Sequence, residues 1–282
     1  MIMTVVDAAK SYKYYFLLCL LLLAGAYHSI VSSMIQDWYT DGNYSHGFLV
    51  PIVAGYFLYE RLEELKGAVV EPWSPGIIVV VAGIIALTVG WLGTEYFTMR
   101  SSLIVILSGM VLYFFGKEAF KTSLLPILYL IFMVPIPYII YDAAAFPLKL
   151  FVTKVSVGFL KAIGVVVLRE GNIIMFPATT LEVADACSGI RSLISLIALA
   201  VAFAYFTRTT NLKRWVIIVS AVPIAILTNA TRVIATGILA QYWGARAAEG
   251  FFHEFAGVVV FGLALAILVT LGVVLKGKEG KR

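Results

Sequence analysis

The sequence predicts an all-α polytopic membrane protein with about eight transmembrane helices, an interfacial helix and a small extracytoplasmic β-hairpin. Three observations predict this fold class. Of the 282 residues, 61% are hydrophobic and only 13% are charged, which is far from the composition of soluble domains. The apolar residues form runs long enough to cross a hydrocarbon core about 30 Å thick. The cations lie in groups between these runs, so the net charge of +5 indicates membrane topology and not nucleic-acid binding.

Eight apolar runs are the candidate spans. They cover approximately 14–33, 47–60, 76–93, 101–116, 123–141, 188–207, 215–240 and 254–275. With eight spans, all the main cation groups share one face, which the positive-inside rule makes cytoplasmic, with both termini inside. No repeat or linker marks a second domain, so residues 1–282 are expected to form a single integral-membrane domain.

The segment 145–166 is apolar enough to span but carries Lys149, Lys154 and Lys161. Each would cost about 2.5–3.5 kcal/mol at the centre of a bilayer. We therefore expect an interfacial helix here. A ninth span would also move Cys187 to the cytoplasmic face, against the charge rule.

The segment GNIIMFPATTLEVAD follows this helix and predicts two short strands around Pro177 and Ala178, with alternating side chains over 181–183. A small hairpin of this kind would deliver Cys187 to the start of the next helix.

Cys187 follows Asp185 and precedes Gly189 at a predicted helix start. Free backbone amides and the helix dipole would lower the pKa of its thiol, and a thiolate is a competent nucleophile. Asp185 is interpreted as a helix cap. The alternative is a small packed cysteine, which is how Cys19 in an LLCLLLLAG run is interpreted. Ser188 is a rival nucleophile or an oxyanion-side group, although a serine depends more on an adjacent base.

Arg232 lies in the apolar run PIAILTNATRVIATGILA, where an arginine is costly unless it is paired or hydrated. Asn229 and Thr236 lie three positions before and four after it, so one polar stripe should point into the helix bundle. The alternative is an arginine that extends to the outer interface. His253 opens the last span and could move protons, or it could be a satisfied interfacial histidine.

A thiolate, a cation and a proton carrier together are what acyl transfer through a thioester requires. Cys187 would attack a peptide carbonyl, Arg232 would hold the thiolate or stabilise the oxyanion, and His253 would protonate the leaving amine or activate the incoming nucleophile. No metal site is expected, because His28, His46 and His253 lie in different segments without ligand spacing. No cofactor is expected either.

Three segments in order, LEVADACSGIRSLISLIALAVAFAY, PIAILTNATRVIATGILAQYWG and AEGFFHEFAGVVVFGLAL, resemble the exosortase and archaeosortase family of polytopic membrane cysteine transpeptidases. Upstream, DWYTDGNYSHGFLVP looks like the family's first outer loop. By this resemblance the catalytic Cys, Arg and His correspond to Cys187, Arg232 and His253, and the histidine favours the bacterial branch.

The resemblance implies substrates that are exported, membrane-anchored proteins with a C-terminal sorting signal, made of a short Pro-Glu-Pro-type motif, a transmembrane helix and a basic tail. Cleavage would occur at the extracytoplasmic face of the plasma (inner) membrane in bacteria that produce exopolysaccharide. The acyl group would pass to an amine, a lipid or a polysaccharide-linked acceptor. Asp37, Tyr44, Ser45 and His46 would line the substrate entrance, or form a solvated connector.

Two other functional classes are open to the residues. A non-enzymatic transporter, or an assembly partner for exopolysaccharide export, would use Arg232 and His253 to bind an anionic solute or relay protons, although it needs polar groups at the midplane. An intramembrane serine or aspartyl protease would need paired carboxylates or a Ser–His pair, which Asp142 and Asp185 do not provide.

Overall fold

The computed structural model describes residues 4–177, 179–183, 190–207, 209–243 and 251–276. The chain divides into two compact units, residues 1–137 and 138–282. Almost all of the described secondary structure is helical, as the composition predicts.

The first unit is entirely helical in its named elements. They are α1 (Val5–Ser11), α2 (Lys13–Thr40), a 3₁₀ helix (Gly42–Phe48), α3 (Leu49–Glu60), α4 (Leu62–Gly67), α5 (Gly76–Leu92), α6 (Tyr96–Tyr129) and a 3₁₀ turn (Leu130–Met133). The core between α2 and α6 contains Tyr27, Ile30, Met99 and Ile106, and Cys19 packs at its margin. Its thiol is free, and its partly buried position agrees with its interpretation as a small packed cysteine.

Helix α5 packs on α6 through Gly76, Gly83 and Gly90, which are seven residues apart and therefore share one helix face. A Cβ on Gly76 would lie 2.6 Å from the backbone nitrogen of Tyr113, and one on Gly90 would lie 2.9 Å from that of Met99. No side chain fits in this space. The absence of side chains therefore lets the two backbones approach closely, as in other membrane helix pairs.

Helix α6 is kinked at Gly116, whose φ of 86° and ψ of −171° are not helical. A Cβ there would overlap the carbonyl oxygen of Glu71, with which Gly116 forms an isolated bridge. Glycine meets both the positive φ and the close approach without strain. The kink coincides with the predicted end of the 101–116 span.

The predicted 123–141 span is wrong as one helix. The 3₁₀ turn after α6 ends at Met133, and the next helix begins at Tyr138. Pro135 and Pro137 lie in between, and each proline lacks an amide donor and disfavours helical geometry in the residue before it. The two prolines therefore end one helix and separate it from the next.

In the second unit, the described residues form a small sheet and several helices. Its elements are α7 (Tyr138–Ala162), β1 (Leu168–Glu170), β2 (Ile173–Met175), β3 (Thr180–Glu182), α8 (Ile190–Phe206), α9 (Asn211–Trp243) and α10 (Phe251–Lys276). Helix α9 contacts α7, α8 and α10. Its N-terminal half packs on α8 and α10 around Leu196, Ile217 and Leu268, all fully buried. Further along α9, Ala230 and Val233 join a second cluster with α7 and the sheet.

The predicted hairpin is confirmed, since β2 and β3 pair antiparallel with Ile174 opposite Leu181. Ala178 lies outside the described residues. A third strand, β1, pairs with β2 on the other side and was not predicted. Its sequence, Leu-Arg-Glu, is exposed at every position, so it lacks the apolar alternation by which a strand is recognised.

Five helices in the described residues are long and apolar enough to cross a membrane. They are Lys13–Thr40, Tyr96–Met133, Tyr138–Ala162, Asn211–Tyr242 and Phe255–Lys276. Helices α5 and α8 are apolar but have 17 residues each. The chain is thus a multi-pass membrane protein, while the count of eight spans stays a prediction. Helix α7 starts before the predicted interfacial segment 145–166 and is itself of spanning length, with Lys154 and Lys161 exposed on its surface.

Candidate active site

Helix α9 carries a buried polar stripe. Arg232 is 8% exposed, Asn229 is 3% exposed and Thr236 is 5% exposed. These positions are spaced at about one helical turn, so they share a face. The prediction that the stripe points into the helix bundle is confirmed, because an arginine extended to the membrane surface would not be so fully covered.

Arg232 lies against the last helix at a glycine. A Cβ built on Gly257 of α10 would lie 3.3 Å from one guanidinium nitrogen of Arg232 and 3.5 Å from its central carbon. The guanidinium therefore lies directly on the α10 backbone. A guanidinium carries a positive charge and five N–H donors in a fixed plane. Arg232 therefore provides both a cation and several hydrogen-bond donors at a buried site.

His253 belongs to the same face of α10 as Gly257. The two residues are four positions apart in a continuous helix, which is about one turn and about 6 Å along the axis. Only the backbone of His253 is described. The fold therefore brings two of the three predicted catalytic positions, 232 and 253, to neighbouring places on α9 and α10.

The residues predicted as nucleophile and supporting groups, Cys187, Ser188 and Asp185, lie outside the described residues. The described chain on either side is buried. Val183 belongs to the same core cluster as Ala230 and Val233, which flank Arg232 in sequence. Ile190 is buried with Tyr141 and Ala145 of α7.

The sheet is held against α9 next to the polar stripe. Phe176 follows β2, and its ring would be 3.0 Å from a Cβ on Gly237. Ile174 of β2 is fully buried in the cluster that also contains Val233. The hydroxyl of Ser156 on α7 donates to the carbonyl of Ala230 at 3.4 Å. Helix α7 and the sheet therefore cover α9 around the position of Arg232.

Two of the predicted entrance residues have structural contacts in the first unit. The hydroxyl of Tyr44 donates to the carbonyl of Ile136 at 3.0 Å, and His46 Nε2 lies 3.1 Å from the carbonyl of Phe132. Trp38 Nε1 donates to the carbonyl of Met133 at 2.8 Å. Burial lowers the pKa of His46. These three side chains satisfy carbonyls around the proline break, where the backbone cannot form helical hydrogen bonds.

The other two predicted entrance residues lie at the same end of α2. Asp37 forms an ion pair with Arg100 of α6 at 2.6 Å, and Ser45 donates to the carbonyl of Gly42 at 3.1 Å. Arg100 is 5% exposed and was not predicted as a site residue. Part of the signal was available, because an arginine in the first turns of an apolar helix requires a partner, although the sequence does not show that the partner is Asp37.

The described residues contain no group of three or more His, Cys, Asp or Glu side chains that could hold a metal ion. Helix α9 carries Arg232, Asn229 and Thr236 as buried polar residues on one face.

The chain was compared with known protein families, curated proteins and solved structures. The model described as Transmembrane exosortase (Exosortase_EpsH) matches residues 38–270, which is well over half of the chain and includes parts of both units. No curated protein matches the chain, and no solved structure matches it.

Proposed function

Because the chain belongs to the transmembrane exosortase family, we propose that it is a membrane-embedded cysteine transpeptidase. It would cleave the C-terminal sorting signal of exported proteins, of the Pro-Glu-Pro type, through a thioacyl-enzyme intermediate. The observation that carries this proposal is the buried guanidinium of Arg232 on the α10 backbone at Gly257, one helical turn from His253. The fold therefore brings a cationic residue, Arg232, close to a position occupied by a titratable residue, His253.

The reaction would proceed in two halves. In the first, the Cys187 thiolate attacks the scissile carbonyl, Arg232 stabilises the oxyanion, and His253 donates a proton to the leaving amine as the peptide bond breaks. The product is a thioester between Cys187 and the new C-terminus. In the second, an amine, a lipid or a polysaccharide-linked acceptor loses a proton to His253 and attacks the thioester, which releases the Cys187 thiolate and leaves His253 protonated for the next cycle.

Covalent geometry supports placing the nucleophile in this site. Cys187 is three residues from Ile190 and four from Val183, and an extended chain advances at most about 3.6 Å per residue. A thiol at this position is thus tethered close to two buried residues, one of which shares a cluster with the neighbours of Arg232. Ser188 would provide an oxyanion-side group, Asp185 a helix cap, and Asn229 a buried polar partner in the stripe.

The proposed topology follows from the cation groups. Both termini would be cytoplasmic, and residues 187, 232 and 253 would face the extracytoplasmic side of the plasma membrane. Exported substrates reach this side, and their anchoring helix would enter the bilayer beside the enzyme.

The test is cleavage of a membrane-anchored reporter that carries a Pro-Glu-Pro-type motif, an apolar helix and a basic tail. It is co-expressed with this chain, and its size is followed by immunoblot. We expect a shorter product, which is lost when the motif is scrambled and when membranes are first treated with a thiol-alkylating reagent. Motif-independent cleavage, or cleavage that resists alkylation, would contradict the proposal. An intact reporter, with a solute transported in a manner dependent on Arg232, would identify a transporter instead.

Gly257→Ala should lower cleavage roughly three- to tenfold, because a methyl group 3.3 Å from the guanidinium forces Arg232 to shift, and small displacements of a catalytic group are costly. The measurement is the initial rate of reporter cleavage at equal enzyme level.

The matched control is Gly262→Ala in the same helix, where a Cβ would meet nothing within 4 Å. Both variants should melt within a few degrees of the wild type. Equal activities for the two variants would show that the contact with Arg232 does not position the catalytic cation.

A further inference from the structure

Strand β3 has an outer edge that carries backbone hydrogen-bonding groups. In the sheet order β1-β2-β3, β2 is the one strand of the described residues that pairs with β3. The hydrogen bonds from Phe176 to Thr179 and from Val183 to Asn172 fix which residues of β3 bond to β2. Since bonded residues alternate along an antiparallel strand, Leu181 faces β2, and Thr180 and Glu182 present their N–H and C=O groups on the other side.

These outward groups are accessible in the described part of the chain. The side chains of Thr180 and Glu182 are exposed, and the backbone bonds formed outside the regular elements include none from either residue. The opposite edge is different. There, only Arg169 turns its backbone outward, and its side chain donates to the carbonyl of Leu150 on α7. The β3 edge therefore offers two successive pairs of free donors and acceptors.

We infer that the β3 edge binds the substrate as an additional strand, an inference that rests on the proposed function. The occupant is an extended segment of the substrate polypeptide immediately beside the scissile bond. Addition of a strand to an open sheet edge is a general mode of peptide recognition. Residue 182 is five positions before Cys187, so a peptide paired with this edge lies within about 18 Å of extended chain from the proposed nucleophile.

The geometry also sets a requirement on the bound sequence. Alternate residues of the bound strand must supply N–H and C=O groups toward β3, while the residues between them need no amide hydrogen. A proline at an intermediate position fulfils this, because it lacks only the N–H that would face away. A segment with a proline on each side of one non-proline residue can therefore pair through that central residue.

The first test is disulfide cross-linking in membranes with the full-length chain carrying Cys19→Ala and Cys187→Ala. Single cysteines replace Thr180, Glu182 or Arg169, and the reporter carries one cysteine at successive positions around its motif. Paired strand residues lie within disulfide range, and copper phenanthroline with oxygen oxidises the two thiols. We expect Thr180→Cys and Glu182→Cys to cross-link at alternate reporter positions. No cross-link, a pattern without alternation, or equal cross-linking from Arg169→Cys would overturn the inference.

The second test compares two substitutions at one position in the otherwise wild-type chain. Glu182→Pro removes the outward N–H and leaves the ladder to β2 intact, whereas Glu182→Ala removes only the side chain. Loss of one backbone hydrogen bond to substrate predicts roughly a five- to tenfold slower cleavage for Glu182→Pro and less than about a twofold change for Glu182→Ala. Equal rates for both variants would overturn the inference.

The two proposals fail in different ways. Cleavage that continues in Cys187→Ala contradicts the thiol mechanism, while the cross-linking pattern is measured in protein without that thiol and reports on strand pairing alone. A reporter that is cleaved but never cross-links in the alternating pattern would support the proposed enzymatic activity. It would contradict the inference that the β3 edge binds the substrate.

Discussion

Replacing Cys187 with alanine is expected to abolish reporter cleavage, with a loss of at least about a thousandfold, because the thioester cannot form without the thiol. The other cysteine of the sequence, Cys19, packs at the margin of the α2–α6 core and serves as the comparison. The measurement is the amount of cleaved reporter at equal enzyme level, over a time course long enough to detect a residual rate.

Cys19→Ala is the matched control, since it removes a thiol from the same chain and leaves the proposed nucleophile in place. It should retain cleavage and remain sensitive to alkylation. Because a half-buried cysteine contributes as a small apolar side chain, a modest drop in melting temperature is the main expected cost. Cleavage that survives in Cys187→Ala would make Ser188 the next nucleophile to test and would remove the thioester from the mechanism.

Arg232→Ala is expected to lower cleavage by at least about a hundredfold, the usual scale for loss of an oxyanion donor in a buried site. Arg232 is 8% exposed, and its guanidinium lies against α10 at Gly257, so alanine at this position removes a cation from a buried place. Arg232→Lys keeps the charge and loses the planar set of donors. We expect an intermediate loss of roughly tenfold, measured as the maximal rate at saturating reporter.

Arg214→Lys provides the control on the same helix, because it makes the same chemical change near the start of α9, in its first turn. It should leave the cleavage rate unchanged. If Arg232→Lys and Arg214→Lys were equally active and Arg232→Ala melted far below the wild type, the role of Arg232 would be structural. A loss of rate with an unchanged melting temperature in Arg232→Lys supports its role in catalysis.

The sequence predicts most helices of this protein because burial in lipid requires long apolar runs, and such runs are visible directly. The error near 123–141 has a specific physical cause. Residues 134–140 are apolar throughout except for Pro135 and Pro137. The hydropathy of this segment therefore stays high although the two prolines interrupt the helix. Proline spacing is the better guide at this position.

Site residues were predictable where their chemistry conflicts with their surroundings. Arg232 and Asn229 are polar residues in an apolar helix, and both are buried as this conflict predicts. Arg100 was missed because it lies one residue before the predicted span 101–116. Its partner, Asp37, was assigned to the substrate entrance, whereas the ion pair joins α2 to α6. Pairing over 63 positions in the chain cannot be read from local pattern.

The roles of Tyr44 and His46 show the same limit. As a polar loop segment they suggest a surface for substrate, yet their contacts are with carbonyls of Ile136 and Phe132. The sequence does not show which carbonyl groups lack a helical hydrogen-bond partner. It shows only the prolines that interrupt the helix. The assignment of these residues to an entrance stays a prediction, and their contacts with the proline break are what the structure adds.

The close pairing of α5 and α6 bears on how the chain enters the bilayer during its synthesis. Helix α5 has 17 residues, or about 26 Å at 1.5 Å per residue, and is short for a hydrocarbon core of about 30 Å. Only three residues separate it from α6, and Gly83 lies between the two contacts at Gly76 and Gly90. We expect the two helices to leave the translocon as one hairpin, with α6 stabilising a segment that would insert poorly alone.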